Sequence, residues 1–245
     1  RRGAKAADDA VASGDKLGPL HGLPFGVKDM IDVAGLPTTF GSELFRDNIA
    51  TKDDAIVAAM RAAGALPMGK TNNPEWSAGG NTRNRVYGAT ANPHDLTRTC
   101  AGSSGGSAAG LSAGYFPLAT GSDTGGSLRN PAAFCGVVGY RPSPGVVPGN
   151  TRSVGYFPLS TSGPMGRTVE DTALMLSVLA RPDMRDPYTA VVDGRTAWDP
   201  ARFARLPRRD LSALRVAFTE DYGFAPTEGI VRDHFRRIVP QLAPL

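Results

Sequence analysis

Two glycine–serine segments constrain this chain more than any other feature of its sequence. Residues 102–107 read Gly-Ser-Ser-Gly-Gly-Ser, and residues 121–127 read Gly-Ser-Asp-Thr-Gly-Gly-Ser. Because glycine lacks a Cβ atom, it adopts unusual backbone conformations and lets backbone N–H groups approach a ligand closely. Each segment can therefore hold hydroxyl groups rigidly and direct amides at an anion. The pattern predicts either a phosphate site or an oxyanion hole.

Short apolar strands alternate with helical stretches along the chain, which is typical of an α/β layer fold. The chain has 245 residues and is 41% hydrophobic, which is enough for one large domain with a substantial core. Strands are predicted at 25–28, 65–68 (buried), 117–120, 137–140 and 215–219. Helices are predicted at 2–13, 53–63, 107–113, 169–179 and 230–242. Thr51 or Asp53 is the expected cap of the helix at 53–63, and 121–126 is expected to be a turn.

Residues 181–210 are predicted to form an irregular surface excursion, because they contain four prolines and many charges with little periodicity. The remnant that follows is too short for a second domain. We therefore interpret residues 1–245 as one domain, incomplete at both ends.

Charge and cysteine usage bound the partners of the chain. The formal net charge is +4, and a late arginine cluster could meet an anion such as tRNA, but the absence of interleaved aromatics favours a solvated loop. Nucleic acid is therefore not an expected partner. A membrane span needs about 20 apolar residues in a row, and no stretch of this sequence approaches that length. No membrane partner is therefore expected. Two isolated thiols, Cys100 and Cys135, make neither a disulfide framework nor a zinc site and indicate the cytoplasm. The late arginine cluster named above consists of Arg202, Arg205, Arg208, Arg209 and Arg215.

A phosphate site is the weaker of the two interpretations. Gly64 and the tripeptide at 69–71 together match the loose pattern G-x-x-x-x-G-K-T. The intervening Ala-Leu-Pro-Met, however, is apolar and has the composition of a strand. Such a segment cannot wrap phosphates as a glycine-rich loop does, so we set nucleotide binding aside.

The sequence is compatible with two forms of serine hydrolase, which differ in the residue that acts as the base. Residues 102–106 fit G-x-S-x-G with Ser104 as the nucleophile, which requires a downstream acid and a histidine. The histidines present lie in predicted turns or on a charged helix face, so this form is poorly supported. They are His21, His94 and His234.

The other form uses a lysine as the base. Lys28 ends an apolar strand, where loss of water lowers the pKa of an amine toward neutrality. A neutral amine can deprotonate a hydroxyl group. The alternative is a structural salt bridge from Lys28 to Asp29 or Asp32, and the segment alone leaves both interpretations open.

Taken together, these segments resemble the amidase signature family. The hallmark of that family is Gly-Ser-Ser-Gly-Gly-Ser followed by Gly-Ser-Asp-Thr-Gly-Gly-Ser-hydrophobic-Arg, and both stand here in that order. Further blocks match as well, including Gly-Leu-Pro-Phe-Gly-Val-Lys-Asp. The matching blocks are residues 22–29, 69–72, 102–107, 121–129, 135–142 and 163–171.

The resemblance implies a mixed β-sheet core covered by helices on both faces, and it implies amide hydrolysis without a metal or cofactor. By motif position, Ser127 is the nucleophile, Ser103 is the bridging serine after a cis peptide bond, and Lys28 is the base. The remaining expected site residues have supporting roles. Thr124, Gly125 and Gly126, with Ser127, are the oxyanion donors; Asp123 and Arg129 brace the loop; Ser104 is structural.

Members of the family are longer than this chain. Two rival interpretations of its function stay open. One is a glutaminase-type subunit of a tRNA-dependent amidotransferase, which uses the same triad. The other is a non-catalytic remnant. The expected partner is a small-molecule amide, and a homodimer stays open as well.

Overall fold

The computed structural model describes residues 1–149, 156–189, 191–196, 198–207, 210, 212 and 214–242. They fall into two compact units, Arg1–Leu206 and Pro207–Leu245. Within the described residues, no helix has both the length and the apolar character that crossing a bilayer requires.

The first unit contains most of the regular structure. Its helices are α1 (Arg2–Ala12), α2 (Ala55–Ala62), α3 (Gly105–Ser112), α4 (Arg129–Cys135), α5 (Val169–Leu179) and α6 (Ala201–Ala204). Its strands are β1 (Pro24–Lys28), β2 (Leu66–Thr71), β3 (Arg83–Asn84), β4 (Gly88–Ala89), β5 (Ala91–Asn92), β6 (Asp95–Thr99), β7 (Leu118–Asp123), β8 (Val138–Gly139), β9 (Thr161–Gly166), β10 (Val191–Val192) and β11 (Arg195–Thr196). Single 3₁₀ turns lie at Glu43–Phe45 and Glu75–Ser77. The second unit contains α7 (Gly229–Ile238) and a 3₁₀ turn at Val239–Leu242.

A five-stranded mixed sheet in the order β2-β1-β7-β9-β8 forms the centre of the first unit. Strand β1 pairs in parallel with β2 and β7, whereas β9 is antiparallel to β7 and β8. The register sets Lys28 opposite Thr71 and Asp123 opposite Thr161. Because parallel neighbours end at the same edge, the carboxyl ends of β1, β2 and β7 meet there.

Helices cover both faces of this sheet, as predicted. Consecutive residues of β7 belong to different apolar clusters, because side chains alternate across a strand. Leu118 packs with Phe25 and with residues of α2 and α5. Ala119 packs with residues of α3 and α4 on the other face. The mixed sheet with helices on both faces is thus confirmed.

Local signals placed the helix ends closely but not always at the right residue. Thr168 caps α5 and accepts a hydrogen bond from the Asp171 N–H at 3.0 Å. For α2, however, the expectation of Thr51 or Asp53 is wrong. Asp54 is the cap and accepts from the Ile56 N–H, while Asp53 accepts from the Ala34 N–H.

Three predictions of strand and turn require correction. Strand β2 lies at the edge of the sheet and is not buried, since Met68 is 62% exposed. The segment 121–126 is not a turn throughout, because β7 continues to Asp123. The segment 215–219 is not a strand, since no strand pairs with it among the described residues of its unit.

The excursion at 181–210 contains a short hairpin of β10 and β11 and one turn of helix in α6, with 190, 197, 208 and 209 outside the described residues.

Gly106 allows the first turn of α3 to pack directly on the end of β2. Its N–H donates to the Asn72 carbonyl at 3.0 Å, and a Cβ atom there would lie 2.3 Å from the Asn72 nitrogen. We therefore expect Gly106→Ala to lower the free energy of unfolding by about 3 kcal/mol, the upper part of the range for overpacking. Denaturant unfolding would measure this. Gly69→Ala is the matched control, because a Cβ atom at Gly69 meets nothing within 4 Å; equal losses in the two variants would contradict the packing argument.

Candidate active site

Lys28 ends β1 inside the protein and is fully buried. Its Nζ atom lies within hydrogen-bond distance of two hydroxyl oxygens, 2.7 Å from Ser103 Oγ and 2.9 Å from Ser122 Oγ. Its backbone N–H donates to Thr120 Oγ1 at 3.0 Å, so a β7 side chain fixes the main chain of Lys28. The structure thus surrounds this amine with hydroxyl groups from two other segments.

Burial lowers the pKa of Lys28 from 10.5 to about 7, and the negative charge of Asp123 raises it but only partly offsets the loss of water. Among the described residues, no carboxylate lies within ion-pair distance of Lys28 Nζ. Asp29 pairs instead with Lys70 Nζ at 3.2 Å. The salt-bridge interpretation of Lys28 is therefore wrong, and its amine is available in the neutral form near pH 7.

The first glycine–serine segment leads from a loop into α3. Its Gly102–Ser103 peptide bond is cis, and Ser103 is buried beside Lys28. Ser104 points elsewhere: its Oγ contacts the Ser122 carbonyl and N–H, each at 3.3 Å, and its N–H donates to the Ser127 carbonyl at 3.3 Å. Ser104 therefore ties the two glycine–serine segments together.

A histidine-based triad at Ser104 finds no support in the first unit. The His21 ring contacts the Ala7 carbonyl at 3.0 Å, and the His94 ring contacts the Cys135 carbonyl at 3.0 Å. Neither ring contacts Ser104, and His234 belongs to the second unit. Ser104 as a nucleophile is thus set aside.

Asp123, at the end of β7, organises the second glycine–serine segment. Its fully buried carboxylate accepts hydrogen bonds from the Gly126 N–H at 2.8 Å and the Leu128 N–H at 3.1 Å. Arg129 donates to both carboxylate oxygens, and Arg141 donates to Oδ1 and to the Asp123 carbonyl. Burial by itself would raise the pKa of Asp123, but the hydrogen bonds from Arg129, Gly126 and Leu128 outweigh it and lower the pKa to about 2. The carboxylate is charged at neutral pH and holds the loop closed.

The predicted oxyanion donors need one correction. The Gly126 N–H is already engaged by Asp123 Oδ1, so it cannot also point at a substrate. Gly126 has another role, since its φ of +117° is strained for any side chain. Of the expected donors in the described part of the chain, the N–H groups of Thr124, Gly125 and Ser127 have no hydrogen-bond partner.

Ser127 is partly exposed, next to the buried Leu128. The hydrogen bonds of the described residues join Lys28 to Ser103, but they do not include a bond between Ser103 Oγ and Ser127 Oγ. The two segments meet instead through the Ser104 N–H and the Ser127 carbonyl. The assignment of Ser127 as nucleophile thus stays a prediction from the resemblance.

Three residues of the site were not expected from the sequence, namely Ser122, Thr120 and Arg141. Ser122 falls in the segment predicted as a turn, and Thr120 ends the strand predicted at 117–120, so neither pattern indicates a contact with Lys28. In the structure, β7 carries both hydroxyls toward the end of β1. Arg141 gave no local signal, since it lies 18 residues from Asp123.

The glycine–lysine–threonine tripeptide does not form a phosphate site. Lys70 lies within β2, and its Nζ donates to the Pro37 carbonyl at 3.1 Å and to Thr38 Oγ1 at 2.8 Å, besides the ion pair with Asp29. All three N–H donors of that amine are used. Across the described ranges, no three His, Cys, Asp or Glu side chains are grouped to hold a metal ion.

A family model described as Amidase matches residues 1–244. The chain belongs to the amidase signature family. It is 46% identical over 211 residues to the acylamidase of Rhodococcus erythropolis, covering 86% of this chain and 43% of that relative. It is 40% identical over 222 residues to a glutamyl-tRNA(Gln) amidotransferase subunit of Geobacillus thermodenitrificans, covering 91% of this chain and 44% of that protein.

The fold of this amidase signature chain agrees with a solved structure from the same family. The crystal structure of a bacterial aryl acylamidase superposes on it with a TM-score of 0.74 and 36% identity. The superposition covers 78% of this chain and 40% of that one. The chain therefore spans less than half the length of the relatives that it matches.

Proposed function

We propose that this chain carries the catalytic centre of an enzyme that hydrolyses carboxylic amides to an acid and an amine or ammonia. The observation that carries the proposal is the buried Lys28 amine, whose pKa is about 7 and whose Nζ lies 2.7 Å from Ser103 Oγ. A base of that pKa is half neutral near pH 7, which suits proton transfer at the operating pH. Similarity to an acylamidase and to an aryl acylamidase supports the same chemistry.

In the proposed mechanism, protons move along a short hydroxyl chain. Neutral Lys28 takes the Ser103 proton as Ser103 takes the proton of Ser127. Ser127 Oγ then attacks the amide carbonyl and forms a tetrahedral intermediate. The proton returns along the same chain to the leaving nitrogen as the C–N bond breaks. Water then cleaves the acyl-enzyme ester, which releases the acid and restores the Ser127 hydroxyl. Besides a water molecule, the proposed steps use only side chains and backbone of this chain, with no metal or cofactor.

The N–H groups of Thr124, Gly125 and Ser127 are the proposed oxyanion donors. Asp123 holds their loop through Gly126 and Leu128, so the donors are oriented before the substrate arrives. Preorganised donors of this kind stabilise the developing charge, and the loss of one typically costs about 10²- to 10³-fold in rate. The Asp123–Arg129 pair acts by holding the loop and not by contacting the substrate.

Screening the purified protein against aliphatic, aryl and peptide amides and glutamine tests the proposal. Hydrolysis that a fluorophosphonate probe abolishes by labelling Ser127 is the expected result. A folded protein that neither turns over any of these amides nor takes the label would be the non-catalytic remnant.

A glutaminase-type subunit of a tRNA-dependent amidotransferase is the second candidate, because the chain is 40% identical to a subunit of a glutamyl-tRNA(Gln) amidotransferase. Glutamine hydrolysis that depends on added partner subunits would favour it. Turnover of simple amides by the protein alone favours the free amidase.

A small-molecule amide remains the proposed partner, with a homodimer left open and the cytoplasm as the proposed location.

The pH dependence of kcat/KM should report the protonation of Lys28. Only the neutral amine accepts a proton, and its pKa is about 7. We expect kcat/KM to fall about tenfold per pH unit below that pKa and to level off above it. Initial rates between about pH 5 and pH 9 would measure this limb. A rate unchanged from pH 6 to pH 8 would contradict Lys28 as the base.

A further inference from the structure

Ser122 is a second hydroxyl on the Lys28 amine, beside Ser103. It is only 8% exposed, and its Oγ lies 2.9 Å from Lys28 Nζ. Its other side-chain contact is Met30 Sδ at 3.2 Å. No step of the proposed mechanism uses this serine, although it touches the base directly.

The chemistry of these partners sets the direction of each hydrogen bond. A thioether sulfur can only accept, so the Ser122 hydroxyl donates to Met30 Sδ. The lone pairs of Ser122 Oγ are then left to accept an N–H from Lys28. A hydroxyl oriented in this way does not compete with Ser103 for the Lys28 lone pair.

The two hydroxyl partners of Lys28 can serve a neutral amine through one N–H and the lone pair. A neutral amine has one lone pair and two N–H groups, whereas an ammonium has three N–H groups. In the described structure, Nζ has two side-chain partners, Ser103 and Ser122. When one N–H is held by Ser122, the lone pair can be turned toward the Ser103 hydroxyl.

We propose that Ser122 is a positioning residue that accepts an N–H of Lys28 and so directs the lone pair of the amine at Ser103. This inference rests on the proposed function, in which Lys28 is the base. Met30 contributes by holding the Ser122 hydroxyl proton away from Lys28.

A purely structural role for Ser122 predicts different behaviour, and Ser107 shows what such a role looks like. Ser107 is also buried, and its Oγ contacts Thr71 Oγ1 at 2.7 Å and donates to the Thr120 carbonyl at 2.8 Å. It joins strands β2 and β7 without touching Lys28. Ser107→Ala is therefore the matched control for the loss of a buried serine hydroxyl beside this sheet.

The test compares Ser122→Ala, Ser122→Thr and Ser107→Ala by kcat, KM and the pH profile of kcat/KM. We expect Ser122→Ala to lower kcat about 10²-fold with KM unchanged, because a misdirected base loses its geometry. Its acid limb should also move to lower pH, since an acceptor stabilises the ammonium more than the neutral amine. Ser122→Thr keeps the hydroxyl and should restore most of kcat, and Ser107→Ala should leave the limb in place.

Either of two results in folded variants would overturn the inference. One is a Ser122→Ala variant with the parental kcat and the parental acid limb. The other is a Ser122→Thr variant as impaired as Ser122→Ala, which would make the effect one of packing.

A readout that does not depend on turnover separates this inference from the proposed function. The titration of the Lys28 side chain can be followed by NMR in the parent and in Ser122→Ala. A lower midpoint in the variant supports the contact even if the parent hydrolyses none of the amides, a result that would count against the proposed function alone. An unchanged midpoint would overturn the inference whether or not the parent is active.

Discussion

Ser127→Ala should lower kcat/KM for amide hydrolysis by about 10⁴-fold or more, as the loss of a nucleophilic serine does in other hydrolases. Alanine cannot form the acyl-enzyme, whereas the oxyanion donors and the substrate contacts remain. The fold should be unaffected, because Ser127 is partly exposed and its Oγ has no hydrogen-bond partner within the described residues. Steady-state rates and thermal unfolding of both proteins would measure the two effects.

Ser112→Ala is a suitable control for this experiment. Ser112 ends α3, and its Oγ contacts the His94 ring at 3.1 Å, away from Lys28 and Ser103. Its removal should leave both the rate and the fluorophosphonate labelling unchanged. A Ser127→Ala protein that keeps the parental rate or still takes the label would require another nucleophile and would end the assignment.

Lys28→Met should reduce kcat/KM by about 10³- to 10⁴-fold, because the hydroxyl chain then lacks a base. Methionine fills a similar volume but accepts no proton. Unlike a loss of binding, the effect should appear in kcat. Lys16→Met is the control, because Lys16 is exposed and its removal should change neither kcat nor KM.

The same variant should change how stability depends on pH. Lys28 has a pKa of about 7 in the folded protein against 10.5 as its ordinary value, so between these pH values the unfolded chain binds more protons. Stability therefore rises with pH across this window, at about 1.4 kcal/mol per unit, and the burial penalty is fully present below about pH 7. Lys28→Met lacks this contribution.

Denaturant unfolding at several pH values would measure the difference between the two proteins. The stability of the parent relative to Lys28→Met should rise by several kcal/mol from about pH 7 to about pH 10. Two parallel stability curves over this range would show that Lys28 keeps its ordinary pKa in the folded protein. That result would remove the basis for its role as base.

Local signals determined those elements whose stabilising contacts lie nearby in the chain. Thr168 and the periodicity after it predicted α5, because a helix closes its hydrogen bonds within a few residues. A strand needs a partner from elsewhere, which is why 215–219 has strand composition but no strand pairing in the described structure. The same limit hid the continuation of β7 through Ser122, since its pairing with β9 spans a long separation in sequence.

The amino-acid sequence predicts the residue types of the site: two glycine-rich segments with serines and one lysine at the end of an apolar strand. Which of these groups meet depends on how the strands pair in the folded protein. Pairing of β1 with β7 places the buried Lys28 beside Ser103 and Ser122. The fold also brings the Gly126 N–H and the Arg141 side chain within hydrogen-bond distance of the Asp123 carboxylate. The physical reason is that the pKa of an amine and the direction of a hydrogen bond depend on burial and on neighbours that are remote in sequence.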